Sequence, residues 1–487
     1  MLRTLFLALA LCCALARADV DLPGYTGPAL GLRTGYIDIE GGKHVFYYLF
    51  ASRSRPATDP LVMWFQGGPG CSSGPGLFQE NGPIVPTPEG GLAPRDVSWV
   101  NIANMVFVDQ PAGVGFSYQD AAGPVHTNDT QAATDNHSFI DRFLEKYPEF
   151  SGRDLWLTGE SYAGMYVPSV VQRIVHAPSS AAARQLKGFA VGNPVFQCES
   201  NDQADEYVNI AYWHGLAPFS LYSLWQSQKC RGSDSAECQD IFNTIMGSIG
   251  GMDQPVMRRS MRAPAPEITS HEKKERFQPI NPDHVFYDFC TGNGSLVIGL
   301  DDPKSSSCKH INTGDLLDVY LNRADVQAAL GVRPVRWGAC SGSDRLDYNT
   351  QGGSLVPVYR DIFATNPSLR VLVYSGDLDV FTVPSWGTQV CLDELKDVVK
   401  MTKRWHQWTV NGATAGYYEV YDRYTYATVR GGGHEVPQFE PFTAFHLFSR
   451  FLNNQSLGEF TEDNPPVQSP ASSAQSRILR KLSSTHH

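Results

Sequence analysis

DLWLTGESYAGMYVPSVVQRIV, Asp154 to Val175, is the stretch that decides the fold. Its first part, Asp154 to Gly159, is a short apolar run of the kind that forms a buried strand, and Ala163 to Val175 repeats its apolar residues at helical spacing. Gly159-Glu160-Ser161-Tyr162-Ala163-Gly164 lies between them. The small residues Gly159 and Ala163 leave room for a sharp strand-to-helix turn, which lifts the Ser161 hydroxyl above the carboxyl edge of a sheet. The helix then aims its free amides and positive end at the same place. A G-x-S-x-small string occurs often by chance; the strand, turn and helix around this one give it weight.

Working outward, LVMWF (Leu61–Phe65), NMVFVD (Asn104–Asp109) and KGFAVGN (Lys187–Asn193) read as further buried strands, and Thr130 to Tyr147 as a helix. Continuous apolar runs suit a sheet covered on both faces, so the alternation implies a mainly parallel sheet with helices on both sides. The pattern resumes at LRVLVYSGD (Leu369–Asp377) and YTYATVRGGG (Tyr424–Gly433), followed by a helix over Thr443 to Leu452. From about Cys198 to Trp337 strand-like runs are scarce. Inside that span Gln254 to Pro282 is rich in proline and charge, with Arg258-Arg259 and Lys273-Lys274 pairs, and reads as an exposed loop and a candidate processing site.

A serine hydroxyl is a weak nucleophile and needs a base, itself oriented by an acid. On this kind of scaffold the order along the chain is Ser, then Asp or Glu, then His, with both partners on loops after later strands. Asp377 and Asp379 follow the apolar strand Arg370 to Ser375, and spacing does not choose between them. Of thirteen histidines, only His434 combines a glycine-rich loop, a preceding strand and the correct order. An oxyanion hole needs backbone N–H groups aimed at the developing charge. Tyr162, next after the serine, offers one. The loop in LVMWFQGGPGCSS (Leu61–Ser73) offers the other, because Gly67 and Gly68 have no side chains to block a substrate carbonyl.

Composition bounds the setting. A formal charge of −11 argues against nucleic acid as a partner, since phosphate binding needs a basic field. Met1–Leu2–Arg3, an apolar run from Leu5 to Leu15 and Ala16-Arg17-Ala18 read as a signal peptide cut after Ala18. The run is shorter than the roughly 20 residues that span a bilayer, no later stretch reaches that length, and no membrane association is expected. Of ten cysteines, Cys12 and Cys13 fall in that segment. Cys71, Cys198, Cys230, Cys238, Cys290, Cys308, Cys340 and Cys391 remain, an even set that suggests disulfides in an oxidising compartment. Their spacings do not fit a zinc site, and neither a metal nor a cofactor is expected. Asn128, Asn136, Asn293 and Asn454 head N-x-S/T sequons, so two or more glycans are expected on exposed surface.

Taken together, GGPGCSS (Gly67–Ser73), ENGP (Glu80–Pro83), VFVDQPAGVGFSY (Val106–Tyr118), GESYAGMYVP (Gly159–Pro168), SGDLD (Ser375–Asp379) and GGGHEVP (Gly431–Pro437) resemble the signatures of the serine carboxypeptidase family. The match runs from about Gly35 to Leu452, in family order. The resemblance implies an α/β-hydrolase fold with a large disulfide-containing insertion, or cap. It implies a Ser161–His434–Asp379 triad, oxyanion amides at Gly68 and Tyr162, and a site for the substrate's free carboxylate built from Trp64, Gln66, Gly67, Glu160 and Glu80. Two facing carboxyls do not both ionise cheaply, so this pair would keep a proton and favour acid pH. Gln66 stands where the family usually has Asn, and Met165 where His is common. Cys71 with Cys340 resembles the family's most general bridge; Cys230 with Cys238 and Cys290 with Cys308 are paired by proximity, with a nested alternative open. The basic loop resembles a stretch that some members lose on maturation.

The expected organisation is a signal peptide over 1–18, core over 19–197, a cap over 198–337 with its basic loop at about 254–282, core again over 338–455, and a disordered tail over 456–487. The expected activity is release of C-terminal amino acids from peptides and proteins in the secretory pathway, whether lysosomal, vacuolar or extracellular, with a homodimer left open. Three rivals are weighed: an acyltransferase of the same family, a protective or binding partner of other hydrolases, and a lipase or esterase.

Overall fold

The computed structural model describes residues 19–249, 280–287 and 314–458. The signal peptide, nearly all of the basic loop, Cys290, Cys308, Asn293 and nearly all of the tail lie outside the described residues.

Ten strands form the main sheet: β1 (Leu32–Ile39), β2 (Lys43–Phe50), β3 (Leu61–Phe65), β4 (Asn104–Val108), β5 (Leu155–Glu160), β6 (Leu186–Gly192), β7 (Arg370–Gly376), β8 (Met401–Val410), β9 (Ala413–Tyr421) and β10 (Thr425–Val429). A short eleventh, Tyr118–Gln119, pairs with β2. Their spatial order is β1-β2-β4-β3-β5-β6-β7-β10-β9-β8. From β4 to β10 the pairings are parallel; β1, β2, β8 and β9 are antiparallel flanks. Successive side chains of a strand point to opposite faces. On β3, Leu61, Met63 and Phe65 therefore enter one core while Val62 and Trp64 enter the other. A strand buried on both faces has to be apolar throughout, which is why the parallel strands were readable from sequence.

Helices α1 (Asp129–Lys146) and α2 (Ala163–Val175) cover the first face. Asn128 caps α1 by accepting from the Gln131 N–H at 2.9 Å, and the helix buries Ala132, Phe139, Ile140 and Phe143. Helices α3 (Gln203–Trp213), α4 (Phe219–Ser227) and α5 (Ala236–Ser248) form a separate cluster around Tyr207, Trp225 and Ile245, which also takes in Val380 and Phe381 beside Asp379. By contrast, α6 (Gly314–Leu321) and α7 (Ala324–Leu330) pack Leu317, Tyr320, Leu321 and Leu330 into the second face of the sheet. The last part of the span read as cap thus lies against the core. On that face too, Phe448 of α8 (Pro441–Leu452) stacks on Trp99 with centroids 3.7 Å apart.

Three disulfides are formed among the described residues: Cys71–Cys340, Cys198–Cys391 and Cys230–Cys238. The second, joining the start of the cap to the core, was not anticipated. One sequon expectation fails. Asn136 is 2 % exposed and its side-chain N–H donates to Gln110 Oε1 at 2.9 Å, so a glycan there has no room. It lies on the face of α1 that packs inward. Asn454 is exposed and Asn128 half-buried.

Candidate active site

Ser161 follows β5 with φ +60°, a left-handed conformation that costs a non-glycine residue about 1–2 kcal/mol. Local hydrogen bonds hold it there. Its N–H donates to Gly192 O at 3.0 Å, and its carbonyl accepts from Gly164 and Val195 N–H, each at 2.9 Å. Tyr162, the N-cap of α2, makes no side-chain cap bond; the Gly164 and Met165 amides are taken by the Ser161 and Tyr162 carbonyls, each at 2.9 Å. Gly67 lies directly against this turn: a Cβ there would sit 2.4 Å from Tyr162 N and 2.7 Å from Ser161 Cβ. Gly68 follows with φ +112°.

Asp379 and His434 arrive on the loops after β7 and β10. His434 Nδ1 is 2.7 Å from Asp379 Oδ2, and both residues are buried. Asp379 also accepts from Asn193 Nδ2 at 2.9 Å and from the Thr382 and Val383 amides at 3.1 Å. Asp377, the other candidate, accepts instead from Gly431 N–H at 2.7 Å and so braces the glycine-rich loop. The two loops come close enough that a Cβ on Gly376 would lie 2.2 Å from Gly433 O.

Asn193 was missed by sequence reasoning. At φ +37° just past β6, it gives its Nδ2 to Asp379 and takes Gly376 N–H on its Oδ1 at 3.0 Å. The available signal was an Asn after a Gly at the carboxyl end of a parallel strand, where sites of this architecture gather.

Beside the turn, Gln66 Nε2 donates to Glu160 Oε1 at 2.6 Å and to Glu80 Oε1 at 3.2 Å. The one amide thus holds the two carboxyls side by side, and neighbouring buried carboxyls do not both ionise cheaply. Burial, then the neighbouring Glu80 and Glu435 charges, push Glu160 well above the usual carboxylate range; burial raises Glu80 as well. Each keeps one buried oxygen, Oε2, without a protein partner. Trp64 is fully buried, and its indole N–H donates to Gln66 Oε1 at 2.8 Å, so it orients Gln66.

Further acids surround the imidazole. Burial and the charge on Asp283 raise Glu435 to about 8, and burial raises Asp283. Burial opposes a charged His434, but the Asp379 carboxylate, with Glu435 and Asp283, outweighs it and lifts His434 to about 10. Both kinds of shift act on stability with the same sign. An acid raised in the fold stabilises fully below its unfolded value, and that contribution disappears as pH rises through the raised one; a raised histidine behaves likewise. The thermal midpoint is therefore expected to be highest near pH about 5 and to fall by several degrees towards pH about 8. Scanning calorimetry across that range checks it, and a midpoint that rises with pH would contradict this electrostatic account.

The strand order, the serine on a strained turn after β5 and the acid–histidine pair after β7 and β10 define a serine hydrolase of the α/β-hydrolase fold. The chain belongs to the serine carboxypeptidase family, whose model matches residues 23–454. Serine carboxypeptidase-like 25 of Arabidopsis thaliana is 32 % identical over 469 residues, covering 91 % of this chain and 93 % of that protein. The lysosomal protective protein of Mus musculus is 31 % identical over 463 residues, covering 90 % and 94 %. The crystal structure of Kex1Δp, a prohormone-processing carboxypeptidase of Saccharomyces cerevisiae, shares the fold with a TM-score of 0.60 at 18 % identity, covering 87 % of this chain and 91 % of that one. No helix among the described residues is long and apolar enough to cross a membrane.

Proposed function

We propose that this enzyme removes single amino acids from peptides and proteins that end in a free carboxylate. Ser161 Oγ attacks the last peptide carbonyl while His434 Nε2 takes its proton, and the Gly68 and Tyr162 amides stabilise the oxyanion. His434 then protonates the departing amine. Water, activated by the same imidazole, releases the acyl group from Ser161.

The observation that carries the reading is the Glu80–Glu160 pair bridged by Gln66 next to Ser161. Buried carboxyls that keep a proton can donate to a substrate carboxylate; ionised, they would repel it. Gln66 and the Gly67 amide complete that pocket, with Trp64 holding Gln66. Such a pocket favours peptides over the neutral esters of a lipase, and its presence argues against acyl transfer to an alcohol as the main activity. An acidic compartment of the secretory pathway is the setting we propose, with α3–α5 as the cap over the substrate cleft.

The test compares N-blocked dipeptides with free and amidated C-termini. Glu160→Ala and Glu80→Ala are each expected to raise KM for the free acid about tenfold, the loss of a hydrogen bond to a charged group, and to leave the amide nearly unchanged. Equal losses on both substrates would remove the basis for this pocket.

A further inference from the structure

We infer that Asn281–Val285 is a strap that sets the register between the Asp379 and His434 loops, with Asp283 as its positioning residue. The inference rests on the triad proposed above. The Asp379 and His434 loops already touch directly: Leu378 N–H donates to Gly432 O at 2.9 Å and Asp377 N–H to Val429 O at 3.2 Å. The strap comes from neither loop and bonds to both. His434 N–H donates to the Asp283 carbonyl at 2.8 Å. Pro282 O accepts from Val380 N–H at 3.3 Å and from Phe381 N–H at 3.1 Å, while Val285 N–H donates to Leu378 O at 3.1 Å. Asp379 is thus held through both of its chain neighbours.

Side chains tighten the same grip. Thr382 Oγ1 donates to Asp283 Oδ1 at 2.5 Å, and the Thr382 amide is one of the donors on Asp379. The buried His284 ring places Nε2 3.1 Å from Gly431 O, at the head of the glycine-rich loop. Gly433 fits this account: a Cβ there would lie 2.4 Å from Asp283 O, so the strap itself requires glycine beside His434. An ordinary surface segment would anchor wherever acceptors were free. These bonds converge on His434's own amide and on the residues flanking its acid, which is what a positioning element requires.

Asp283→Ala, Asp283→Asn and Thr382→Val test the strap through kcat and KM on a blocked dipeptide and through the rate of phosphonylation by an organophosphate, per titrated active site. Asp283→Ala and Thr382→Val should each slow kcat and phosphonylation about 10- to 100-fold while KM stays within about threefold, because a small misplacement of the base acts on the chemical step. Asp283→Asn keeps an acceptor for Thr382, so its limiting rate, read from the full pH profile to separate any shift in His434 titration, should stay within about threefold of the parent. Per-site rates equal to the parent in both slow variants, or an Asn variant as slow as Ala, would overturn the proposal. Should Asp283→Ala fail to fold, Thr382→Val breaks the same bond from the other side and decides the matter. An organophosphate found on a residue other than Ser161 would sink the triad and not the strap.

Discussion

Ser161→Ala is expected to abolish both turnover and covalent labelling by an organophosphate, a fall in kcat on the order of 10⁵–10⁶. Without the hydroxyl there is no acyl intermediate, and only the oxyanion amides and substrate binding remain to speed attack by water. The substitution also probes backbone strain. Alanine fares no better than serine at φ +60°, so the turn keeps its tension and the loss reads as chemistry. Unchanged melting with lost turnover is the expected pair of results, measured by calorimetry and by release of the C-terminal residue. Labelling that survives in the variant would reassign the nucleophile.

Asp379→Asn should cost about 10⁴ in kcat, whereas Asp377→Asn should keep most activity. The bonds around each carboxylate explain the contrast. Asp379 receives only donors: His434 Nδ1, Asn193 Nδ2 and the Thr382 and Val383 amides. Whichever way an Asn amide turned there, its NH2 would face an N–H. The orientation that satisfies the two backbone amides presents NH2 to His434 and forces the imidazole to carry its proton on Nε2, the atom that must accept one from Ser161. At 377 a single Gly431 N–H needs an acceptor, and Asn supplies one. Steady-state kinetics of the two variants side by side check this; equal losses would mean that the aspartates act as a unit.

The parts of the fold that sequence revealed are those with one physical cause. Leu61–Phe65 coincides with β3 residue for residue because burial on both faces leaves no polar position to obscure it. One flanking strand was missed for the converse reason. Met401–Val410 lies at the edge of the sheet with most residues exposed, and Lys403, Arg404 and His406 hide any apolar alternation. Charged edges of this kind deter pairing with other chains, at the expense of legibility.

The site was legible where chemistry demands a particular residue in a particular order: Ser161 on its turn and His434 after its glycines. The choice between Asp377 and Asp379 came from the family resemblance and not from spacing, since two residues along a loop are decided by what the loop packs against. Here that is Asn193 and the 281–285 segment, both distant in sequence. Trp64 shows the same limit. A motif can place it near a carboxylate, but only three-dimensional packing shows its N–H turned to Gln66. Asn136 failed because a sequon has no periodicity; its burial follows from the face of α1 on which it falls.

The Cys71–Cys340 bridge has a consequence for the loop that follows Gly68. Cys71 lies three residues beyond Gly68, and its neighbours are stitched to the same distant segment, with Ser72 N–H on Ala339 O at 2.8 Å and Ser341 N–H on Gly70 O at 2.9 Å. The loop proposed to hold the oxyanion is thus moored from behind by sulfur, to chain that lies 269 residues further on. Reducing that bond would leave the loop tied to the distant segment by backbone hydrogen bonds, with the sheet beneath untouched.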